Sequence, residues 1–325
     1  TYTPTDSIAP QYNTYAFSLY NSLTVGSFNL YLEGAFKTRD IFFDPFAEKL
    51  NWDGKTSVGK LVNRSGTLIY SSLSYADKGW GITLEGKRTE NFTFRTTPFV
   101  PLNQGLINFL PPMTRVNTYR LTARYNAATQ ELGEQAVQVD VRYSPNRKWS
   151  FNASGSYIDN LEGGLLYREL FTEVLFRYER KWTLQGGLQI QRYNQEIYEG
   201  KPEAPIVRTV IPYADFLYKI SRRKSIRFET QYMATEQDFG SWLFGLVEFS
   251  IAPNWTFTVS DMYNIKPKIT EEDIHYPRFD IFYNYGANRF SLSYIKQVEG
   301  VVCTGGICRL EPAFSGVQLT VNSLF

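Results

Sequence analysis

The last stretch of the chain, Phe314-Ser-Gly-Val-Gln-Leu-Thr-Val-Asn-Ser-Leu-Phe325, alternates strictly between apolar and polar positions. On an extended strand side chains repeat with a period of two, so Val317, Leu319, Val321 and Phe325 share one face and Gln318, Thr320 and Asn322 the other. The same pattern recurs upstream. Phe28, Leu30, Leu32 and Phe36 alternate with Asn29, Tyr31, Glu33 and Lys37, and Trp80, Ile82 and Leu84 fall together on one side. Strands are predicted over 12–21, 28–37, 67–75, 80–89, 136–143, 149–157, 170–179, 182–192, 210–220, 224–233, 242–251, 255–263, 277–285 and 289–298, ahead of the closing one.

Period alone does not separate a soluble sandwich from a barrel in lipid, because each has one apolar and one polar face. The connections do. Short turns such as Ser144-Pro-Asn-Arg-Lys-Trp149, Glu179-Arg-Lys-Trp182, Ser221-Arg-Arg-Lys224 and Ala252-Pro-Asn-Trp255 alternate with long loops over 38–66 (with Trp52), 158–169, 193–208, 264–276 and 299–313. Trp80, Trp149, Trp182 and Trp255 each follow a short turn, where an indole would mark one lipid–water boundary. Short periplasmic turns opposite long extracellular loops are the asymmetry of bacterial outer-membrane barrels. The pattern therefore predicts an all-β fold: an antiparallel transmembrane β-barrel of about 16 strands or slightly more, occupying 1–325 as one domain in the outer membrane.

Composition agrees. The chain is 16% aromatic, with 23 Tyr and 24 Phe against 3 Met and 1 His, which suits strands and interfacial belts. No run approaches the roughly 18 apolar residues of a spanning helix. A net charge of 34 − 32 = +2 offers nothing to nucleic acid.

Two places resist the pattern. If the closing strand descends to the periplasm, counting backwards makes 12–21 descend as well, so a rising strand is expected to precede Thr1. Residues 1–11 read as a polar lead, in which Asp6-Ser7-Ile8 matches an O-glycosylation acceptor of a kind common by chance. The second place is 90–116, where Pro98, Pro101, Pro111 and Pro112 exclude a continuous strand. With 119–125 read as a rising strand, that segment hides a descending strand near 91–97 or folds back through the lumen as a plug. A third reading leaves 90–125 wholly outside.

The polar faces direct Glu33, Lys37, Glu85, Lys87, Arg120, Arg124, Asp140, Arg142, Glu173, Arg177, Asp215, Lys219, Arg227, Glu229, Glu248, Arg278 and Asp280 into the lumen. Both signs alternate around the wall, so cross-strand ion pairs are expected. Enzymatic chemistry finds little footing. A barrel hydrolase needs an imidazole base, and the one histidine, His275, sits in Glu271-Glu-Asp-Ile-His-Tyr-Pro277 without a nucleophile motif. No phosphate loop, dinucleotide fingerprint or metal-spaced cluster appears, so no cofactor, metal or catalytic residue is assigned.

The run from Gly240 to Tyr263, GSWLFGLVEFSIAPNWTFTVSDMY, and the ending from Cys303 to Val321 resemble an uncharacterised family of Bacteroidota outer-membrane barrels, the DUF6029 type. Asn108-Phe-Leu-Pro-Pro-Met-Thr114 and Tyr125-Asn-Ala-Ala-Thr-Gln130 are similar to it as well. The resemblance spans roughly 80–325 and implies a location and a longer amino end, but no activity. In an exposed, oxidising loop, Cys303 and Cys308 around Thr-Gly-Gly-Ile are expected to close a small disulfide ring. Phe325 is the expected carboxy-terminal assembly signal. Two roles follow: an accessory or scaffold subunit with protein partners in a larger secretion, insertion or uptake assembly, or a channel for small polar solutes.

Overall fold

The computed structural model describes residues 13–51, 53–98, 105–108, 110–268, 274–304 and 307–323, and of residues 301–310 the backbone alone. Phe325 lies outside the described residues, and so do the side chains of Cys303 and Cys308. The chain runs as successive hairpins. β1 (Ala16–Val25) turns into β2 (Phe28–Leu50), and β3 (Thr56–Asp77) into β4 (Trp80–Glu90). β5 (Gly133–Tyr143), β6 (Trp149–Asn160), β7 (Leu165–Tyr178) and β8 (Trp182–Asn194) continue the series. A short helix, α1 (Gln195–Glu199), is capped by the Asn194 side chain accepting from the Ile197 amide. Then come β9 (Ile206–Lys219), β10 (Lys224–Met233), β11 (Gly240–Ile251), β12 (Trp255–Pro267), β13 (His275–Tyr285) and β14 (Asn288–Gln297). A small hairpin, β15 (Gly300–Thr304) and β16 (Ile307–Glu311), precedes β17 (Phe314–Ser323).

Fifteen strands form one sheet, in the order β1 to β14 and then β17. Every neighbouring pair is antiparallel, as at β1–β2 and β14–β17. β1 and β17 are its two edges, so among the described residues the sheet is open. The tight returns are built for hairpins: Lys78 (φ 46°) and Gly79 (φ 84°) both take the left-handed backbone that matches strand twist. A Cβ on Gly79 would come within 2.5 Å of the Ser144 carbonyl oxygen.

Polarity across the sheet is inverted relative to a soluble sandwich. In β8, Leu184, Leu188 and Ile190 are exposed, whereas Gln189 and Gln191 on the opposite face are 0% and 1% exposed. In β17, Val317, Leu319 and Val321 stand 69%, 70% and 56% exposed. Apolar side chains out and hydrogen-bonding ones in is the arrangement of a wall facing lipid.

The structure corrects four expectations. Residues 38–66 are not a long loop: β2 and β3 pair from Phe28↔Tyr75 to Leu50↔Thr56, with register shifts at Lys37/Asp40 and Asp44/Glu48. Pro45 falls in the second irregularity, where its missing N–H disrupts no ladder. There the Asp44 carboxylate accepts the Phe46 and Ala47 amides at 3.0 and 3.1 Å. Residues 119–125 are not a strand but a hydrogen-bonded turn, with the Ala123 amide donating to the Tyr119 carbonyl at 3.0 Å. No strand hides near 91–97 either, because β4 pairs directly with β5 from Trp80↔Tyr143 to Glu90↔Gly133. Finally, β15 and β16 occupy what reads in sequence as a plain loop, and their register sets Cys303 opposite Cys308.

Candidate functional site

The segment between β4 and β5 folds back onto the polar face of the sheet. The Leu121 amide donates to Gln231 Oε1 of β10 at 2.7 Å, and Gln189 Nε2 of β8 donates to the Thr122 carbonyl at 3.2 Å. Gln191 Nε2 donates to the Tyr125 carbonyl, and Asn117 Nδ2 to Glu169 of β7 at 3.2 Å. From the other side, Lys37 of β2 donates to the Thr93 carbonyl at 2.7 Å, and Lys87 of β4 to the Pro111 carbonyl at 2.7 Å. One segment reaching side chains on β2, β4, β7, β8 and β10 requires the sheet to curl around it.

Apolar contact completes the anchoring. Met113, Leu121, Tyr125 and Ala127 pack with Ile158, Tyr167, Tyr193, Ile211, Met233 and Trp242 into a small core on the inner face. The inner face is thus polar where it meets backbone and apolar where it meets this cluster, a division the alternation alone does not reveal. Asp238, between β10 and β11, ties the arrangement together. It accepts from Tyr125 Oη at 2.8 Å and Gln195 Nε2 at 2.9 Å, with Lys201 at 3.5 Å and Arg124 at 3.9 Å. Burial disfavours its charge, but Gln195 and Arg124 outweigh that and hold the carboxyl below its ordinary range.

Many of the charges assigned from the sequence to the polar faces make ion pairs or hydrogen bonds. Lys87 meets Glu134 at 2.9 Å with both side chains buried. Arg227 bridges Asp215 and Glu229 at 2.6 and 2.5 Å, Arg278 grips Asp280 at 2.8 Å, and Arg142 meets Asp140 at 3.1 Å. Lys37 meets Asp40 at 3.2 Å. Glu33 accepts from Tyr31 Oη at 2.8 Å, Glu85 accepts from Tyr70 Oη, and Glu248 from Ser250 Oγ at 3.4 Å. Glu173 accepts from Gln185 and Tyr213, both at 2.6 Å. Arg177 and Lys219 are exposed near the short turns. Arg120 and Arg124 are different: they ride on the inward segment rather than on a strand, because 119–125 is a turn.

Sequence reasoning missed Gln189, Gln191, Gln231, Glu169 and Asp238, the residues that hold the segment. A signal existed in Gln189-Ile-Gln191: long uncharged side chains on a strand's polar face can donate to a backbone. His275 opens β13, and its Nδ1 lies 2.6 Å from Asp261 Oδ2 of β12, with the Tyr263 ring stacked at 4.5 Å. Its sequence neighbours 271–273 lie outside the described residues. Among the described residues no group of three His, Cys, Asp or Glu side chains is placed to hold a metal.

Aromatic rings gather on the outer face near the short turns. Trp80 stacks on Tyr143 at 4.2 Å, Trp149 meets Phe176 at 4.4 Å, Trp182 meets Phe176 at 5.3 Å, and Trp255 meets Tyr283 at 4.5 Å. Between the inward segment and the wall lies a cavity of about 380 Å³, bordered by Arg115, Arg120, Arg124, Phe239, Met262 and Val298.

The family described as "Family of unknown function (DUF6029)" matches residues 3–325. The chain belongs to that family. The match reaches well upstream of residue 80, where the resemblance read from the sequence begins. No curated protein matches this DUF6029 chain. Among solved structures it is similar to OccK8 (OprE) of Pseudomonas aeruginosa, at 10% identity and a TM-score of 0.46, covering 87% of this chain and 88% of that one. OpdK of the same organism, solved with vanillate, matches at 11% identity and 0.43, with 87% and 88% covered. A triple mutant of the Rhodopseudomonas blastica porin matches at 8% and 0.39, with 87% and 84% covered.

Proposed function

We propose that this DUF6029 chain spans the bacterial outer membrane as a β-barrel and conducts small polar solutes past its inwardly folded segment. The observation that carries the reading is the inverted wall: Leu188 and Ile190 face out while Gln189 and Gln191 face in, and ring contacts band the outer face near the short turns. An outward apolar face asks for lipid, since exposing it to water forfeits about 25 cal/mol per Å². An inward face of paired charges and amides tolerates water. The segment narrows the interior but leaves a cavity of about 380 Å³ beside it. No helix among the described residues is long and apolar enough to cross a membrane, so any crossing falls to the strands.

A second reading, an accessory or scaffold barrel inside a larger assembly, draws on the edges. All ten residues of β1 are exposed, and β17 is nearly so. Such an edge is a ready site for pairing with another strand. Planar-bilayer recording distinguishes the two. The conduit reading expects stable unitary events that grow when residues 111–127 are replaced by a short Gly-Ser linker. Silence from both proteins, with a defined partner co-purifying, would establish the scaffold instead.

A further inference from the structure

Across β8 to β12 the outer face carries one row of side chains that breaks its apolar pattern. Strand pairing sets Gly186, Ala214, Thr230, Gly245 and Asp261 side by side on five successive strands. The row nearer the short turns is Leu184, Phe216, Phe228, Val247 and Val259, and the row beyond includes Leu188, Leu243 and Tyr263. Small side chains between two rows of large ones make a trench. Its floor is open, since a Cβ on Gly245 would meet nothing within 4 Å. The space measures about 520 Å³ and is bordered by Ala214, Phe228, Thr230, Gly245, Val247 and Asp261.

The trench has a length, a slope and one charged end. Neighbouring strands lie about 4.8 Å apart, so the steps from Gly186 to Asp261 span about 19 Å. That is comparable to one leaflet, half of a hydrocarbon core of about 30 Å. Gly186 stands four residues from Trp182, and Asp261 six from Trp255, so the trench climbs away from the short-turn boundary as it nears Asp261. At that upper end Asp261 Oδ2 lies 2.6 Å from His275 Nδ1, and Oδ1 accepts the Tyr276 amide at 3.1 Å. Each carboxylate oxygen has capacity for a second donor, and the Asp261 side chain is still 41% exposed. Val259, the next outward residue below it, is apolar and half exposed. A carboxylate on a wall that faces lipid is unfavourable unless its charge is met.

We propose that the trench is a lipid-binding site: it holds an acyl chain of a membrane lipid along Gly186, Ala214, Thr230 and Gly245, while the lipid's ammonium head donates to Asp261. The small floor residues let the chain sit between Phe228 and Val247 on one side and Leu188 and Leu243 on the other, so it gains contact on three sides. An ammonium head supplies charge and donors together, and hydrogen bonds with both partners ionised are the strong kind. The slope agrees, with the head toward the long loops and the tail toward the middle of the wall. The site rests on the reading that this face meets lipid and is independent of conduction.

The test is native mass spectrometry of the purified full chain in detergent, with dipalmitoyl phosphatidylethanolamine or dipalmitoyl phosphatidylglycerol added. The two lipids share their tails and differ in the ammonium. Phosphatidylethanolamine is expected to be retained as a single bound copy, about tenfold better than phosphatidylglycerol, the factor that a hydrogen bond to a charged group carries. Asp261→Asn should erase the preference and Asp261→Glu keep part of it. Gly245→Phe, which fills the floor, should abolish retention, and Val139→Phe on the outer face of β5 should leave it unchanged. Heat-modifiable gel mobility confirms that each variant is folded. Equal retention of the two lipids, no retention of either, or a preference unchanged in Asp261→Asn or Gly245→Phe would overturn the site. A dimer mass that disappears in Gly245→Phe would give the trench to a second copy of the chain and overturn it as well. Selective retention by a protein silent in bilayers would defeat the conduit and keep the site; conductance with equal retention would do the reverse.

Discussion

β1 and β8 carry the same kind of sequence and end in opposite surroundings. In β1, Phe17 and Leu19 alternate with Ser18, Tyr20 and Ser22, and every residue is exposed. In β8, Leu184, Leu188 and Ile190 alternate with Gln185, Gln189 and Gln191, and the last two are fully buried. The strands do not differ in period. What differs is what stands before the polar face: the segment from β4 to β5 covers β8 with Leu121, Thr122 and Tyr125, while nothing described covers β1. Polar burial in this protein is a property of the inward segment, and the strand only offers the groups that receive it.

The comparison is broken most severely where a charge depends on the covered side. In Lys87→Met, the Glu134 carboxylate, 0% exposed, loses its ion pair, and stability in urea unfolding from liposomes should fall by about 3–5 kcal/mol. A loss under 1 kcal/mol would mean water reaches that wall and the covering is loose. Next comes the outer face. Leu188→Arg should cost about 2–4 kcal/mol near the bilayer midplane, whereas Leu188→Val should be tolerated. Normal insertion of the arginine variant, and of Leu319→Lys on β17, would show that these faces do not meet lipid.

Asp238 sharpens the contrast further. Asp238→Ala removes the acceptor shared by Tyr125 and Gln195 and should cost about 1–3 kcal/mol. The pH response has a definite sign. The folded carboxyl titrates below its unfolded value, so its contribution is present above the unfolded value, near pH 4, and fades as pH falls through the folded one. Urea midpoints at pH 6 and pH 3 should therefore differ more for the native chain than for Asp238→Asn. The smallest effect is expected at Arg142→Ala, because the Arg142 side chain is 70% exposed, and exposed pairs are worth about 0–1 kcal/mol.

The strand pattern was largely legible because a period of two survives whether the apolar face meets lipid or a core. Strand ends were less so. β2 and β3 run on to Leu50 and from Thr56 because a bulge absorbs Pro45 and its neighbours, and a bulge leaves no periodic trace. Arg120 and Arg124 were read onto the wrong kind of element: residues 119–125 alternate like a strand yet close a turn through the Tyr119 carbonyl. Phe325 and the side chains of Cys303 and Cys308 lie outside the described residues.

By itself, the sequence determined the all-β class and which side chains share each face, since these follow from local stereochemistry and spacing. Only the tertiary structure decided that the Pro-rich segment folds inward and that Gln189, Gln191 and Gln231 receive its backbone. It alone set Arg115 and Arg124 beside a cavity. Hydrogen bonding between positions more than a hundred residues apart, such as Leu121 and Gln231, depends on how the sheet curls, and no local pattern encodes that curvature.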